Sequence, residues 1–362
     1  MRPLDAKRVL ITGGTGSLGS VIVRRLLSGD PEIGLPSRII VFSRDEAKQH
    51  QLRLALSDGL PDTEGIRFQD HERRVEFVIG DVRNIDSIAG ALSRADVVIN
   101  TAALKQVPSC EYYPHEAVLT NVLGATNIVQ AIQRHRFPVE TVVGVSTDKA
   151  CKPVNVMGMS KAIQERVLCQ ANLSVPGTRF VCVRYGNVLA SRGSVIPLFL
   201  EQIAKGGPVT VTSAAMTRFF MTLDQAVDTI FDALKTAQPG ETLVPRLRGA
   251  RIQDLAKILI GTREISLDVT GSRPGEKVHE VLISEEEVIR TRSAGQWYVI
   301  LPILPELRGR ELGGPCLEGE FTSADNLMSP EELARLLARE GLIQRTESRI
   351  ANPEISLTDD RT

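Results

Sequence analysis

A chain of 362 residues with 42% apolar side chains can build one large α/β domain and a smaller companion. Aromatic residues make up only 4%, and 43 Lys+Arg stand against 44 Asp+Glu, which excludes base-stacking platforms and a global field for nucleic acid. The five cysteines (Cys110, Cys151, Cys169, Cys182, Cys316) contain no C-x-x-C pair, which argues against a disulfide scaffold or zinc site and predicts small buried thiols in a reducing cytoplasm.

The first half alternates short β-rich apolar runs with helical segments. Strands are predicted at Arg8–Thr12, Arg38–Phe42, Val75–Ile79, Asp96–Asn100, Thr141–Val145 and Arg179–Arg184. Helices are predicted at 17–28, 45–57, 84–94, 116–135 and 157–172. Runs this short and apolar suit strands buried on both faces, so the pattern predicts a Rossmann-like, doubly wound parallel sheet. After residue 190, Pro and Gly become frequent, and helices are predicted near 223–236, 252–260 and 330–340. We read 1–190 as a dinucleotide-binding domain and 191–345 as a smaller α+β substrate domain, partly interleaved with it. A loose tail is expected over 346–362. The start leaves no room for a signal peptide and no apolar run approaches membrane-spanning length, so a cytoplasmic protein without membrane or nucleic-acid partners is expected.

Strand Arg8–Thr12 runs into Gly13-Gly14-Thr15-Gly16-Ser17-Leu18-Gly19. Glycine suits a turn with positive φ and a close approach to pyrophosphate, and the helix opening at Ser17 aims N–H groups at phosphate. Position directly after a strand and before a helix makes this a dinucleotide loop. The second strand ends in Ser43-Arg44, without the acid that serves a ribose diol, so NADP is favoured over NAD. A capping box, Ser43-x-x-Glu46, is the structural alternative for Ser43 but leaves Arg44 unexplained. Asp81 and Val82 close the third strand; Asp81 reads either as an adenine contact or as a helix cap. Ala102 and Ala103 close the fourth, where small residues let backbone lie against a cofactor. His115 and His279 lack metal-ligand spacing, and no metal site is expected.

The segments Thr12–Ser17, Phe42–Glu46, Ala102–Pro108, Ser146–Ala150, Arg184–Val188, Ser191–Val195, Met216–Phe219 and Arg273–Lys277 occur in this order in one group. Over about residues 5–345 the chain resembles the UDP-N-acetylglucosamine 4,6-dehydratases of bacterial polysaccharide biosynthesis, which are extended short-chain dehydrogenase/reductases. Pro108-Ser109-Cys110-Glu111 and Met157 are most similar to the C5-inverting type, whereas Arg273-Pro274-Gly275-Glu276 is closer to other dehydratases of the group.

The resemblance implies oxidation of the sugar at C4, removal of the C5 proton, loss of water from C6 and hydride return to C6. It assigns the base to Lys149 and the acid to Asp148, with Thr147 near the C4 hydroxyl and Lys161 as the neighbouring charge and nicotinamide-ribose contact. The superfamily's usual Tyr-x-x-x-Lys is here Met157-x-x-x-Lys161, and a thioether moves no proton. Without that context, Asp148-Lys149 reads as a helix cap beside a solvated ammonium. Thr12, Leu18, Lys105 and Asn121 are counted with the cofactor contacts. Lys105, Asn187, Arg192, Ser194, Val195, Arg218, Arg273 and Glu276 are counted with the UDP-sugar contacts, the Arg forks suiting the diphosphate. Lys105, Arg192 and Glu276 read equally well as surface charges. The group implies a homo-oligomer, such as a hexamer. A UDP-sugar 4-epimerase and a non-catalytic NADP-binding protein stand as the alternatives.

Overall fold

The computed structural model describes residues 2–57, 74–189, 191, 194–271, 274–309 and 313–343. Arg192, Arg273 and the segment 346–362 lie outside the described residues.

Strands β1 (Arg8–Thr12), β2 (Arg38–Ser43), β3 (Val75–Ile79), β4 (Val97–Asn100), β5 (Thr141–Val145) and β6 (Arg179–Val183) pair in parallel in the order 3-2-1-4-5-6. Residues Val9–Thr12, Val97–Asn100 and Thr141–Gly144 are buried throughout because helices cover both faces of the sheet. One face packs Ile22, Val23 and Leu26 of helix Ser17–Ser28 with Val227 and Ile230 of helix Leu223–Thr236. Ile88, Ile128, Ile132 and Leu168 fill the other face. Strand order reverses between β1 and β4, which opens a crevice at the carboxyl ends of the strands.

Three later strands extend this sheet beyond β6. Thr242–Pro245 adds in parallel, and Trp297–Ile300 and Thr291–Ala294 add antiparallel. Among the described residues the sheet therefore has nine strands. A separate apolar cluster (Ile196, Phe199, Leu255, Leu259, Leu333, Leu337) lies under helices Val195–Ala204, Ile252–Ile260 and Pro330–Arg339.

Several local expectations change. Asp45, not Ser43, caps helix Glu46–Ser57, its carboxylate accepting from Lys48 N at 3.0 Å. Ser43 instead takes a hydrogen bond from Gln49 Nε2. Asn84, not Asp81, caps Ile85–Leu92, accepting from Ser87 N. The helix expected over 116–135 is broken into Pro114–Ala117, a π-helical turn Val118–Leu123, and Gly124–His135. Within the wider turn sits Asn121, whose carboxamide bonds both backbone groups of Leu104. Cys316 is exposed, whereas the other four cysteines are buried as expected. Among the described residues no helix is long and apolar enough to cross a membrane.

Candidate active site

The turn after β1 is built for close approach. Gly13 has φ +66°, and a Cβ on it would fall 2.9 Å from the Ala102 backbone. A Cβ on Gly19 would fall 2.5 Å from Gly14 Cα, so the turn and helix can lie together only as glycines. Helix Ser17–Ser28 begins after Gly16 with no side-chain cap, leaving its first N–H groups for an anion. Thr12 is fully buried; its hydroxyl donates to Asn100 Oδ1 at 2.6 Å and so ties β1 to β4 beneath the turn. Arg44 is half exposed and lies 3.7 Å from Asp81. Asp81 is bound more closely by Arg83, backbone and guanidinium together, which holds its carboxyl below the usual range against the cost of burial. Val82 is a core residue whose carbonyl accepts from Asn127.

At the end of β5 the chain turns through Thr147 into a short 3-10 helix, Asp148–Ala150. The Asp148 backbone N–H donates to Tyr185 O at 3.0 Å, fixing this turn to the end of β6. Asp148 is fully buried, so the cap-and-solvated-pair alternative does not describe it. Its Oδ1 accepts from the Thr147 hydroxyl (2.9 Å) and from Lys149 Nζ (3.0 Å). Its Oδ2 is buried without a hydrogen-bond partner. Burial dominates and pushes the Asp148 carboxyl up; Lys149 opposes this and Glu280 adds to it.

Lys149 Nζ also lies 3.2 Å from Glu280 Oε1. Burial works to lower its pKa, but Asp148 and Glu280 together outweigh burial and hold it above the usual lysine value. The expectation that Lys161 would depress Lys149 is therefore not met. Lys161 is turned the other way, donating to Val145 O (2.5 Å) and Gln164 Oε1 (2.7 Å). Burial lowers Lys161 itself to about 8.

Met157 sits in the first turn of helix Val156–Ser174 and is buried with Cys110 and Ala117, against Leu104, Val107 and Val156. The thioether is thus part of a small apolar cluster. Asn121, expected at the cofactor, spends its amide on Leu104 O and Ser160 Oγ and braces this same helix.

The opposite wall comes from the second half of the chain. Arg218, on strand Thr217–Met221, is buried, with Nη1 donating to Thr217 O and Val278 O. Its Nε lies 3.7 Å from Glu280. His279 Nδ1 pairs with the Thr217 hydroxyl at 2.8 Å. The loop carrying Glu276 is pinned by Asn155, whose Nδ2 donates to Gly275 O. Asn187 Oδ1, Ser194 Oγ and Glu276 Oε2 are buried without hydrogen-bond partners. Ser194 precedes helix Val195–Ala204 yet makes no cap with its side chain. Buried polar atoms left unmatched in this way are costly, and a polar ligand relieves them.

The sequence reading missed Glu280. It is 2% exposed, and its carboxylate meets Lys149, Arg218 and, at 3.9 Å, Lys277. Its only signal in the sequence is its place shortly after the Pro274-Gly275-Glu276-Lys277 segment.

Residues 9–302 match the family model described as polysaccharide biosynthesis protein. The chain belongs to that family. A protein of Rickettsia prowazekii (strain Madrid E) named UDP-glucose 4-epimerase is 42% identical over 81% of this chain and 82% of its own. The crystal structure of Pen from Bacillus thuringiensis matches with a TM-score of 0.82 and 34% identity, covering 94% of this chain and 99% of that one. The structure of DesIV, a dTDP-glucose 4,6-dehydratase from Streptomyces venezuelae with NAD and TYD bound, shares the fold at a TM-score of 0.61 and 24% identity, over 75% of this chain and 86% of that one. The relatives and fold neighbours thus carry the names of nucleotide-sugar epimerases and dehydratases.

Proposed function

We propose that this chain is a nucleotide-sugar 4,6-dehydratase, acting on UDP-N-acetylglucosamine with inversion at C5 in polysaccharide or glycan biosynthesis. The observation that carries this reading is the buried Asp148 carboxyl, with one unpartnered oxygen, directly beside Lys149. Epimerisation at C4 needs no such acid. In this reading residues 1–190 carry the dinucleotide and 191–345 the UDP-sugar.

The turn Gly13–Gly19 and the uncapped helix fit a dinucleotide diphosphate, and Ala102 lies close enough to line it. A bound nicotinamide dinucleotide supplies hydride uptake from C4 and its return at C6. Arg44, with Asp45 committed to a helix cap, suits a 2′-phosphate, so NADP is the preferred form. Replacing Arg44 by Ala is expected to weaken NADP binding about tenfold or more relative to NAD, read by calorimetry.

The chain's own groups do the remaining work. Asp148 gives the proton on its unpartnered oxygen to the leaving C6 hydroxyl. Lys149 takes the C5 proton as a free amine, after the ammonium proton that its two carboxyl neighbours stabilise has passed to water at the partly open end of the side chain. Lys161, at about 8, is the nearest-matched acceptor for the C4 hydroxyl proton, reached through Thr147 or a water. Arg218, and Arg273 with it, clamp the diphosphate, while Asn187, Ser194 and Glu276 offer their unmatched atoms to the sugar and uridine.

The second reading, a UDP-sugar 4-epimerase, is favoured by the name of the Rickettsia relatives. One incubation separates the two. With NADP and UDP-N-acetylglucosamine in heavy water, a dehydratase gives a 4-keto product lighter by one water and labelled at C5. An epimerase gives an isomer of unchanged mass and unlabelled C5, and that result removes the proposal.

A further inference from the structure

Asp148 and Glu280 reach the same ammonium from two distant parts of the chain. Asp148 Oδ1 is 3.0 Å and Glu280 Oε1 3.2 Å from Lys149 Nζ. Both carboxyls are buried, and a buried carboxylate is tolerated only where cations and hydrogen-bond donors surround it, so the less well matched of the two is the one that keeps a proton. The surroundings decide which. Glu280 faces two further cations, Arg218 Nε at 3.7 Å and Lys277 Nζ at 3.9 Å. Among the described residues Asp148 meets one cation, Lys149, and the Thr147 hydroxyl; its Oδ2, like Oε2 of Glu280, has no hydrogen-bond partner.

The backbone holds Glu280 firmly in this place. Its N–H donates to Ser323 Oγ and its carbonyl accepts from Ser323 N, across the pairing of strands Val281–Ile283 and Phe321–Thr322. Lys277 is fixed as well, donating to Cys151 O at 2.5 Å, just beyond the 3-10 helix that carries Asp148.

We propose that Glu280 is a positioning residue for the acid of the reaction: it takes the anion's place beside Lys149, so that Asp148 keeps its proton on the oxygen that faces the sugar. This rests on the dehydratase reading for its use in catalysis, but not for its existence in the free protein. The directions of shift agree with it, since Asp148 is pushed up by burial while Glu280, despite burial, is held down first by Lys149 and then by Arg218 and Lys277. Without the Glu280 charge, Asp148 becomes the counter-ion of Lys149 and gives up the proton that makes it the acid.

The test has two arms, on wild type, Glu280→Gln and Asp148→Asn. In the first, infrared spectra of the free protein at neutral pH are compared for a protonated-carboxyl C=O band. Wild type is expected to show a band that Asp148→Asn abolishes and that Glu280→Gln also loses. A band that survives in Glu280→Gln, or one that Asp148→Asn leaves in place, overturns the proposal whatever the protein catalyses. The second arm follows dehydration of UDP-N-acetylglucosamine. Glu280→Gln is expected to lose at least about tenfold in kcat with KM changed less than about threefold, and to recover part of the loss at lower pH as Asp148 is reprotonated. Equal loss at every pH points to a structural role and overturns the proposal. Should wild type form no dehydrated sugar, the function proposed above fails, and the infrared arm alone decides the role of Glu280.

Discussion

Two buried charge clusters lie at the ends of neighbouring strands, and only one of them has chemistry to spare. Beyond β6, Arg184 spends all five guanidinium donors: two on Glu165, two on Glu287 and one on Leu282 O. Burial works against Glu287, yet Arg184 leads a set of neighbours that draw it down to about 2. Beyond β5, Asp148 and Glu280 each keep an oxygen without a hydrogen-bond partner, and Asp148 is pushed up instead. Size misleads here. A hollow of about 350 Å³ opens beside Arg184, Glu165 and Glu287, but these three charges are already matched to one another. Full satisfaction makes a brace, joining helix Val156–Ser174 to Glu285–Val288. Incomplete satisfaction makes a place for substrate.

The sharpest way to break this contrast is to remove the central cation from each cluster. Lys149→Met is expected to lose C5 hydrogen exchange and product by about a thousandfold, with unfolding little changed. Arg184→Met is expected to do the reverse. It strands two buried carboxylates and costs about 3–5 kcal/mol in a denaturant titration, while the folded fraction keeps its turnover. If the two variants fail in the same way, the division between brace and site is wrong.

A smaller effect sharpens the brace. Glu287 has a depressed pKa, so its contribution to stability is complete above the ordinary glutamate value of 4.5 and is lost as pH falls from there towards about 2. Acid unfolding should lose about 3 kcal/mol across that window, and Glu287→Gln should remove that dependence, as followed by chemical denaturation at stepped pH. An effect of similar size concerns Lys161. Its folded pKa, about 8, lies below its unfolded one, so stability should rise between about 8 and 10.5 as the buried ammonium discharges. A stability curve that stays flat there, or one in which Lys161→Met keeps the rise, removes Lys161 as the proton acceptor near neutrality.

Burial of short apolar runs and the glycine turn made the first half of the fold legible. Strands β1, β3 and β5 fall at the expected residues: short runs of Val, Ile and Phe suit a sheet, covered on both faces at β1 and β5 and half-buried at the edge strand β3. Strand Thr242–Pro245 was not legible. It is four residues after Pro239-Gly240 and itself ends in Pro245, and only its pairing with the edge of β6 and with Trp297–Ile300 makes it a strand. The capping box offered as the alternative for Ser43 is not formed, because Asp45 offers a carboxylate two residues closer to the helix.

The chemistry divides in the same way. Local sequence alone determined the phosphate turn, the Asp148-Lys149 pair and the absence of a phenol at Met157, because each depends on neighbours within a few residues. Only the tertiary structure decided which cations and anions share a field. It brought Glu280 and Arg218 from the second half against Lys149, and it turned Lys161 away towards Val145 and Gln164. Charge acts through space and dielectric, and the order of residues along a chain encodes neither until the chain has folded.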